Sequence, residues 1–189
     1  MKVCRKIHVK WVSFLVSILA LTLFLVACGS SGGSTTTTPA PTPTPTSTGV
    51  TYTGNGYTLT YPAGWTQSGP QSLAVFTNNS DPDATFTVTV TPKTILTNQT
   101  TELDAAIRAL KNNANFTQTN TTTTSIGGDS WKEQDATFNQ NGQNVKAAII
   151  ADEHSNNVFV ITLKDKAGSY DQTNSTAFQP MLNSFKFTS

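Results

Sequence analysis

Phe86, Val88 and Val90 alternate with Thr85, Thr87, Thr89 and Thr91, the period-two pattern of a strand that buries one face and shows the other to water. Tyr57, Leu59 and Tyr61 alternate with Thr58 and Thr60 in the same way, and Pro62-Ala63-Gly64 then stops the strand and turns the chain into Trp65. Leu73 to Phe76 predicts a shorter strand between these two. Further along, strands are expected ending at Ile126 before Gly127-Gly128, through Trp131 to Phe138, from Val145 to Ala151 and from Val158 to Leu163. Asn141-Gly142 marks a tight hairpin, because both residues tolerate the positive φ that such turns need. In the last two strands apolar residues occupy both parities, Val158 and Val160 against Phe159, Ile161 and Leu163, so both faces of the sheet are expected to be covered there.

Two stretches follow the helical period instead. Leu103, Ala106, Ile107, Leu110 and Ala114 fall at i, i+3, i+4, i+7 and i+11, with Thr101 as the expected N-cap, Asp104 three residues on, and Arg108 and Lys111 on the outer side. Near the carboxy terminus, Thr176 is the expected N-cap, with Gln179 three residues later and Pro180 in the first turn, where its missing N–H removes no intrahelical bond. Phe178, Met181, Leu182 and Phe185 make the buried stripe of that helix, and Phe187 alternates with Lys186 and Thr188 as a short final strand. The fold class predicted is α/β in the broad sense (α+β): an antiparallel sheet of about six or seven strands flanked by helices on both faces, in one domain over residues 50–189.

The first 49 residues read differently. Lys2, Arg5, Lys6 and Lys10 form a positive amino-terminal region, and the uncharged run Trp11 to Ala27 is shorter than the roughly 20 residues a membrane span needs. A cleaved signal peptide over residues 1–27 is expected, the alternative being an uncleaved transmembrane anchor with Cys28 a chance residue, which keeps the rest of the chain outside as well. Leu25-Val26-Ala27-Cys28 places small residues before a cysteine as a bacterial lipobox does. Cys28 is therefore the expected lipid-attachment residue and mature amino terminus, carrying a diacylglycerol and fatty acyl chains such as palmitate. More than one chain on a residue makes the anchor stable, since a single chain holds a protein only marginally. Residues 28–49 follow as a Gly, Ser, Thr and Pro stalk, with Pro39, Pro41, Pro43 and Pro45 spaced by small residues. Such a composition favours extended polyproline II at about 3.1 Å per residue, so twenty residues reach up to about 60 Å. The expected location is the extracytoplasmic face of the cell membrane, through the lipid anchor.

Processing changes the charge. The chain has 12 Lys and Arg against 11 Asp and Glu, and four of the basic residues lie in the signal region, which leaves 8 against 11. A domain at −3 with no basic cluster is a poor electrostatic partner for nucleic acid or for anionic lipid headgroups, which excludes both classes. Cys4 leaves as well, so the folded part has no cysteine and no disulfide.

Candidate chemistry is sparse. Asp152-Glu153-His154-Ser155 is the one place where carboxylate, imidazole and hydroxyl come together, yet sequential residues followed by Asn156-Asn157 have the composition of a solvated hairpin turn. One histidine and no free thiol give zinc or copper too few preferred ligands. Asn78, Asn79, Ser80, Asp81 and Asp83 offer oxygen on a loop, but without the spacing of a calcium-binding loop. Trp65 and Trp131 read as core aromatics. No catalytic residue, cofactor-binding residue, cofactor or metal site is expected.

The run Gly56-Tyr57-Thr58-Leu59-Thr60-Tyr61-Pro62-Ala63-Gly64-Trp65, a mid-chain amphipathic helix, a meander and the ending Met181-Leu182-Asn183-Ser184-Phe185-Lys186-Phe187 together resemble the PsbP-like family over nearly the whole domain. The resemblance implies an antiparallel sheet between helices. It also implies an accessory role, the family including photosystem II extrinsic subunits, accessory proteins of the Ran GTPase and many bacterial lipoproteins. The matching residues, Tyr57, Tyr61, Pro62, Gly64, Trp65, Phe185 and Phe187, are architectural. The metal-binding histidines of some photosystem members have no counterpart here, because His154 is the single histidine after residue 27. The expectation is a membrane-anchored, noncatalytic binding or accessory domain for another envelope protein or a small ligand, through a sheet face or an inter-helix cleft. The alternatives are an envelope hydrolase built on dispersed Asp, Ser and His154, and a structural wall spacer.

Overall fold

The computed structural model describes residues 49–188. The signal region, Cys28 and the stalk up to residue 48 lie outside the described residues. The first hairpin joins β1 (Val50–Thr53) to β2 (Tyr57–Tyr61), and the chain then runs through β3 (Trp65–Ser68), β4 (Leu73–Asn78) and the long β5 (Asp81–Pro92). Helix α1 (Gln99–Leu110) precedes β6 (Ala114–Gln118), β7 (Thr122–Ile126), β8 (Asp129–Gln140), β9 (Gln143–His154) and β10 (Asn157–Lys166). The carboxy-terminal helical segment consists of α2 (Tyr170–Thr173), a π turn (Asn174–Phe178) and α3 (Gln179–Ser184), and β11 (Lys186–Phe187) follows.

Eight strands form an antiparallel sheet in the order β3-β4-β5-β10-β9-β8-β6, with β7 pairing the other half of β8. A second sheet has the order β1-β2-β11. The large sheet is thus wider than the pattern predicts, because the short, mostly exposed β6 shares the long β8 with β7 and contributes few apolar residues of its own.

Two cores lie on opposite faces of the large sheet. Ala148, Ile150, Phe159, Ile161 and Leu163 point to one face, where Tyr57, Leu59, Phe178, Met181, Leu182 and Phe185 of the small sheet and carboxy-terminal helix cover them. Ala147, Ile149, Ala151 and Val160 point to the other, against Leu103 and Ile107 of α1. The mixed parity of β9 and β10 is the sequence trace of this double coverage.

Several local expectations change. The N-cap of α1 is Asn98, not Thr101: Asn98 Oδ1 accepts from the Thr101 N–H at 3.0 Å, and Thr101 Oγ1 accepts from the Asn98 N–H at 2.9 Å. This is a capping box in which Thr101 stands at N3, so the helix begins three residues early. Ala114 leaves the helix and starts β6, because Asn113 donates to the Leu110 carbonyl at 3.0 Å and Asn115 turns the chain at φ +55°. Helix also precedes Thr176. Pro180 lies inside a helical run that starts at Tyr170, and the wider π turn just before it is how the segment accommodates a residue with no N–H and a ring that would strike the carbonyl four residues back. The cap N–H of Gln179 accordingly reaches five residues back to Asn174.

The hairpin at Asn141-Gly142 forms as expected, with φ of +53° and +82° at its two residues and Gln140 paired with Gln143. Asp81 to Asp83 begin β5 rather than lying in a loop, and the turn before them is confined to Asn79-Ser80.

Candidate functional site

One end of the large sheet gathers most of the polar chemistry. There the β9–β10 turn Ser155-Asn156 meets the chain leaving β5, with the Lys93 N–H donating to the Asn156 carbonyl at 2.9 Å. The β1–β2 hairpin meets the carboxy terminus at the same end, with the Thr188 N–H donating to the Gly56 carbonyl at 3.0 Å. Gly56 has φ of +78°, and its α-carbon faces the ring of Phe159 and the side chain of Asn157. A larger residue would be strained there.

Asp129 and His154 face each other across the continuation of the β8–β9 ladder, and Asp129 Oδ2 lies 3.0 Å from His154 Nδ1. One face of the imidazole stacks on Phe187, with centroids 3.8 Å apart and planes 7° from parallel. Phe187 stacks in turn on Trp131, with centroids 5.7 Å apart and planes 6° from parallel. The carboxylate and the aromatic stack together fix the orientation of the ring. Trp131 is fully buried and donates its indole N–H to the Ile126 carbonyl at 3.0 Å, so its polar edge is satisfied.

Asp152 stands two residues before His154 on the same face of β9 and is buried. Its Oδ1 receives only a long contact from the Gln99 amide at 3.4 Å, and its Oδ2 is buried without a partner. Burial is the first cause that raises its carboxyl above the usual range, with the Asp129 charge adding to it, while the Glu153 N–H and His154 oppose it. Glu153 points to the other face and behaves in the opposite way. It accepts from the Gln99 N–H at the start of α1 at 2.8 Å and pairs with Lys93. The Lys93 ammonium, and then the Gln99 N–H, hold Glu153 below the usual carboxylate range. Lys132 Nζ donates to Thr100 Oγ1 at 2.7 Å and ties β8 to the same helix start.

The sequence therefore brought the right residues into view but assigned them to the wrong local structure. Asp152, Glu153 and His154 end a strand, and only Ser155-Asn156 form the turn. Among the described residues no hydroxyl is hydrogen-bonded to His154, and its partner is Asp129, which the composition of 152–155 does not point to. The signal was nonetheless present: counting back residue by residue from the Asn141-Gly142 turn sets Asp129 opposite His154.

The oxygen-rich stretch near residue 80 is used internally. Lys166 Nζ lies 2.7 Å from Asp81 and 3.3 Å from Asp83, Asn78 Oδ1 accepts from the Ser80 N–H, and Asn79 Oδ1 accepts from the Thr66 hydroxyl. Trp65 and Trp131 both belong to the core beneath the carboxy-terminal helix. Surface hollows are shallow, such as one of about 330 Å³ lined by Thr60, Tyr61, Pro62, Pro180 and Ser184. Helices and the small sheet cover both faces of the central strands.

No family model matches the chain, and no curated protein matches it. Solved structures do share its fold. The cyanobacterial PsbP (CyanoP) of Synechocystis is similar at a TM-score of 0.54 and 17% identity, over 85% of this chain and 98% of that one. A Bacteroides thetaiotaomicron protein is similar at 0.50 and 12% identity, over 71% of this chain and 46% of that one. LpqN, described as involved in cell envelope biogenesis of Mycobacterium tuberculosis, gives 0.49 and 18% identity over 70% of this chain and 83% of that one. The fold of residues 49–188, an antiparallel α+β arrangement with a helix on each side of the large sheet, is PsbP-like.

Proposed function

We propose that the chain is an extracytoplasmic lipoprotein, anchored through acylated Cys28, whose PsbP-like domain is a noncatalytic accessory module binding an envelope protein or a small ligand. The observation that carries this reading is the succession of basic residues, a short apolar run, Leu25-Val26-Ala27-Cys28 and a Pro-Thr stalk ahead of a compact domain. That order describes a tether and its load. The absence of a transmembrane candidate among the helices of the described residues fits this reading, because the domain then depends on its amino terminus for attachment. Cys28→Ala is expected to abolish metabolic lipid labelling and to release the protein from the membrane fraction. Labelling that persists in this variant removes the anchor from the account.

The polar residues are largely engaged within the fold. The carboxylates near residue 80 and Glu153 are engaged by lysines, and the imidazole of His154 is engaged by Asp129 and Phe187. Cross-linking in intact cells followed by isolation from detergent-solubilised membranes is expected to yield one stoichiometric partner. Repeated failure to find any favours the spacer.

One observation favours the hydrolase as second reading: an imidazole oriented by a carboxylate is the base half of a nucleophilic site. His154→Ala then has to abolish any hydrolytic activity found. An activity unchanged in that variant excludes His154 as its base.

A further inference from the structure

The loop from Lys93 to Asn98 at the same end of the sheet carries Ile95 and Leu96, which are 96% and 84% exposed. Isolated apolar residues are ordinary on a surface, but two adjacent large aliphatic residues held almost wholly in water are not. The loop is not loose. Thr94 and Thr97 exchange backbone hydrogen bonds at 3.0 and 3.3 Å and their hydroxyls lie 2.9 Å apart. Thr94 Oγ1 also accepts from the Leu96 and Thr97 N–H groups, and Thr101 Oγ1 donates to the Leu96 carbonyl at 3.0 Å. Lys93 on one side is bonded to Asn156 and Glu153, and Asn98 on the other is the N-cap of α1. These bonds hold the loop in the conformation that presents the two side chains.

We propose that Ile95 and Leu96 form a bilayer-contacting tip, which enters the apolar edge of the membrane that Cys28 anchors the chain to. This inference rests on the anchoring reading above. The occupant follows from size, charge and reach. A stable protein interface covers about 800 Å² on each partner, far more than two side chains on a convex loop provide, whereas a fluid bilayer accepts a protruding tip without a matching pocket. The tip is electrically neutral, its one cation being paired with Glu153, so contact does not depend on acidic lipid. Burying two such side chains strengthens a contact by about a hundred- to ten-thousand-fold. That is marginal for a free protein and sufficient for one already held at the surface, where the second contact is intramolecular. The stalk's reach, up to about 60 Å, exceeds the roughly 40 Å of a twelve-residue strand such as β5, so the tether does not prevent either end of the domain from meeting the membrane.

The test uses the lipidated mature protein in phosphatidylcholine vesicles, which contains no free thiol once Cys28 is acylated. A polarity-sensitive fluorophore on Pro92→Cys, three residues from the tip, is compared with one on Ser175→Cys in the carboxy-terminal helical segment. The expected result is a blue shift and quenching by spin-labelled lipid at position 92 alone, at low and high salt, both lost in Ile95→Ser/Leu96→Ser while that variant still floats with the vesicles. A fluorophore at position 92 that stays in water while the protein floats overturns the tip and leaves the anchor standing. Shielding that survives Ile95→Ser/Leu96→Ser, or that requires added envelope proteins, also overturns it. A protein that does not float fails the anchoring reading and takes this inference with it.

Discussion

Phe185 is the residue on which the attachment of the carboxy terminus to the core depends, and Phe185→Ala measures that dependence. The ring is 1% exposed and sits among four other aromatics. It stacks on Tyr57 with centroids 5.2 Å apart, meets Trp131 edge-on at 5.4 Å, and lies 6.3 Å from Phe159 and 5.3 Å from Phe187. These residues come from β2, β8, β10 and β11, so removing the ring opens a cavity where both sheets and the end of α3 meet. A buried Phe→Ala change costs about 3–5 kcal/mol. The number of elements that share the gap makes collapse around it difficult, which puts the expectation near the middle, about 4 kcal/mol. Against a total stability of roughly 5–15 kcal/mol, that is a large share. With an m-value of about 2 kcal/mol/M, the urea midpoint falls by about 2 M, and the thermal midpoint falls by roughly 14 °C. Urea unfolding followed by tryptophan emission reports it directly, since Trp65 and Trp131 both lie in this core. A loss below about 1 kcal/mol refutes the reasoning, because it means that the helical segment and β11 do not seal this face of the sheet.

Other substitutions test the remaining links. Asn98→Ala removes both the cap of α1 and one side of its reciprocal pair with Thr101, and is expected to cost about 1 kcal/mol in the same assay; Thr101→Ser, which keeps the hydroxyl, is expected to cost less. Gly142→Ala places a side chain at φ +82° and is expected to lose about 1 kcal/mol, whereas an exposed alanine substitution such as Gln143→Ala stays within about 0.5 kcal/mol. Asp152 predicts a pH dependence. Its native carboxyl lies above the usual range mainly because it is buried, so its neutral form is favoured in the fold. The associated stability is fully present below the unfolded value of about 4 and is lost as pH rises through the native value. Asp152→Asn keeps the neutral form, so the variant gains on the wild type between pH 3.5 and 7, read as a difference of urea midpoints. A constant difference across that range contradicts the assignment. Glu153, lowered first by Lys93, has the opposite sign, and Glu153→Gln loses relative stability over the same range.

What could be read from the sequence was what repeats along it. Strand β5 was legible because Phe86, Val88 and Val90 alternate without interruption, and the coverage of both sheet faces was legible because β9 and β10 carry apolar residues at both parities. The boundaries were not, since they depend on competition between local signals. Asn98 and Thr101 are both good caps, and their reciprocal bonding, which periodicity does not register, decides between them. Ala114 fits the stripe of α1 by spacing, yet the asparagines around it end the helix first. Pro180 reads as a helix start because that is where proline costs least, and only the π turn before it lets helix continue through. The polar cluster shows the same limit. Asp152, Glu153 and His154 were visible as neighbours in sequence, but which of them is buried and which pairs with Asp129 follows from register, set by the turn at Asn141-Gly142. Strand β1 and the exposed Ile95-Leu96 pair leave no periodic trace at all: β1 is short and mostly exposed, and an apolar pair in a loop becomes conspicuous only when nothing is found to cover it.

That this domain is a load carried on an acylated cysteine is tested most directly by the amino-terminal peptide of the protein recovered from cells. Mass spectrometry is predicted to find a chain beginning at Cys28, heavier than its sequence by a diacylglycerol and its acyl groups. A terminus retained upstream of residue 28, or an unmodified thiol at Cys28, contradicts it.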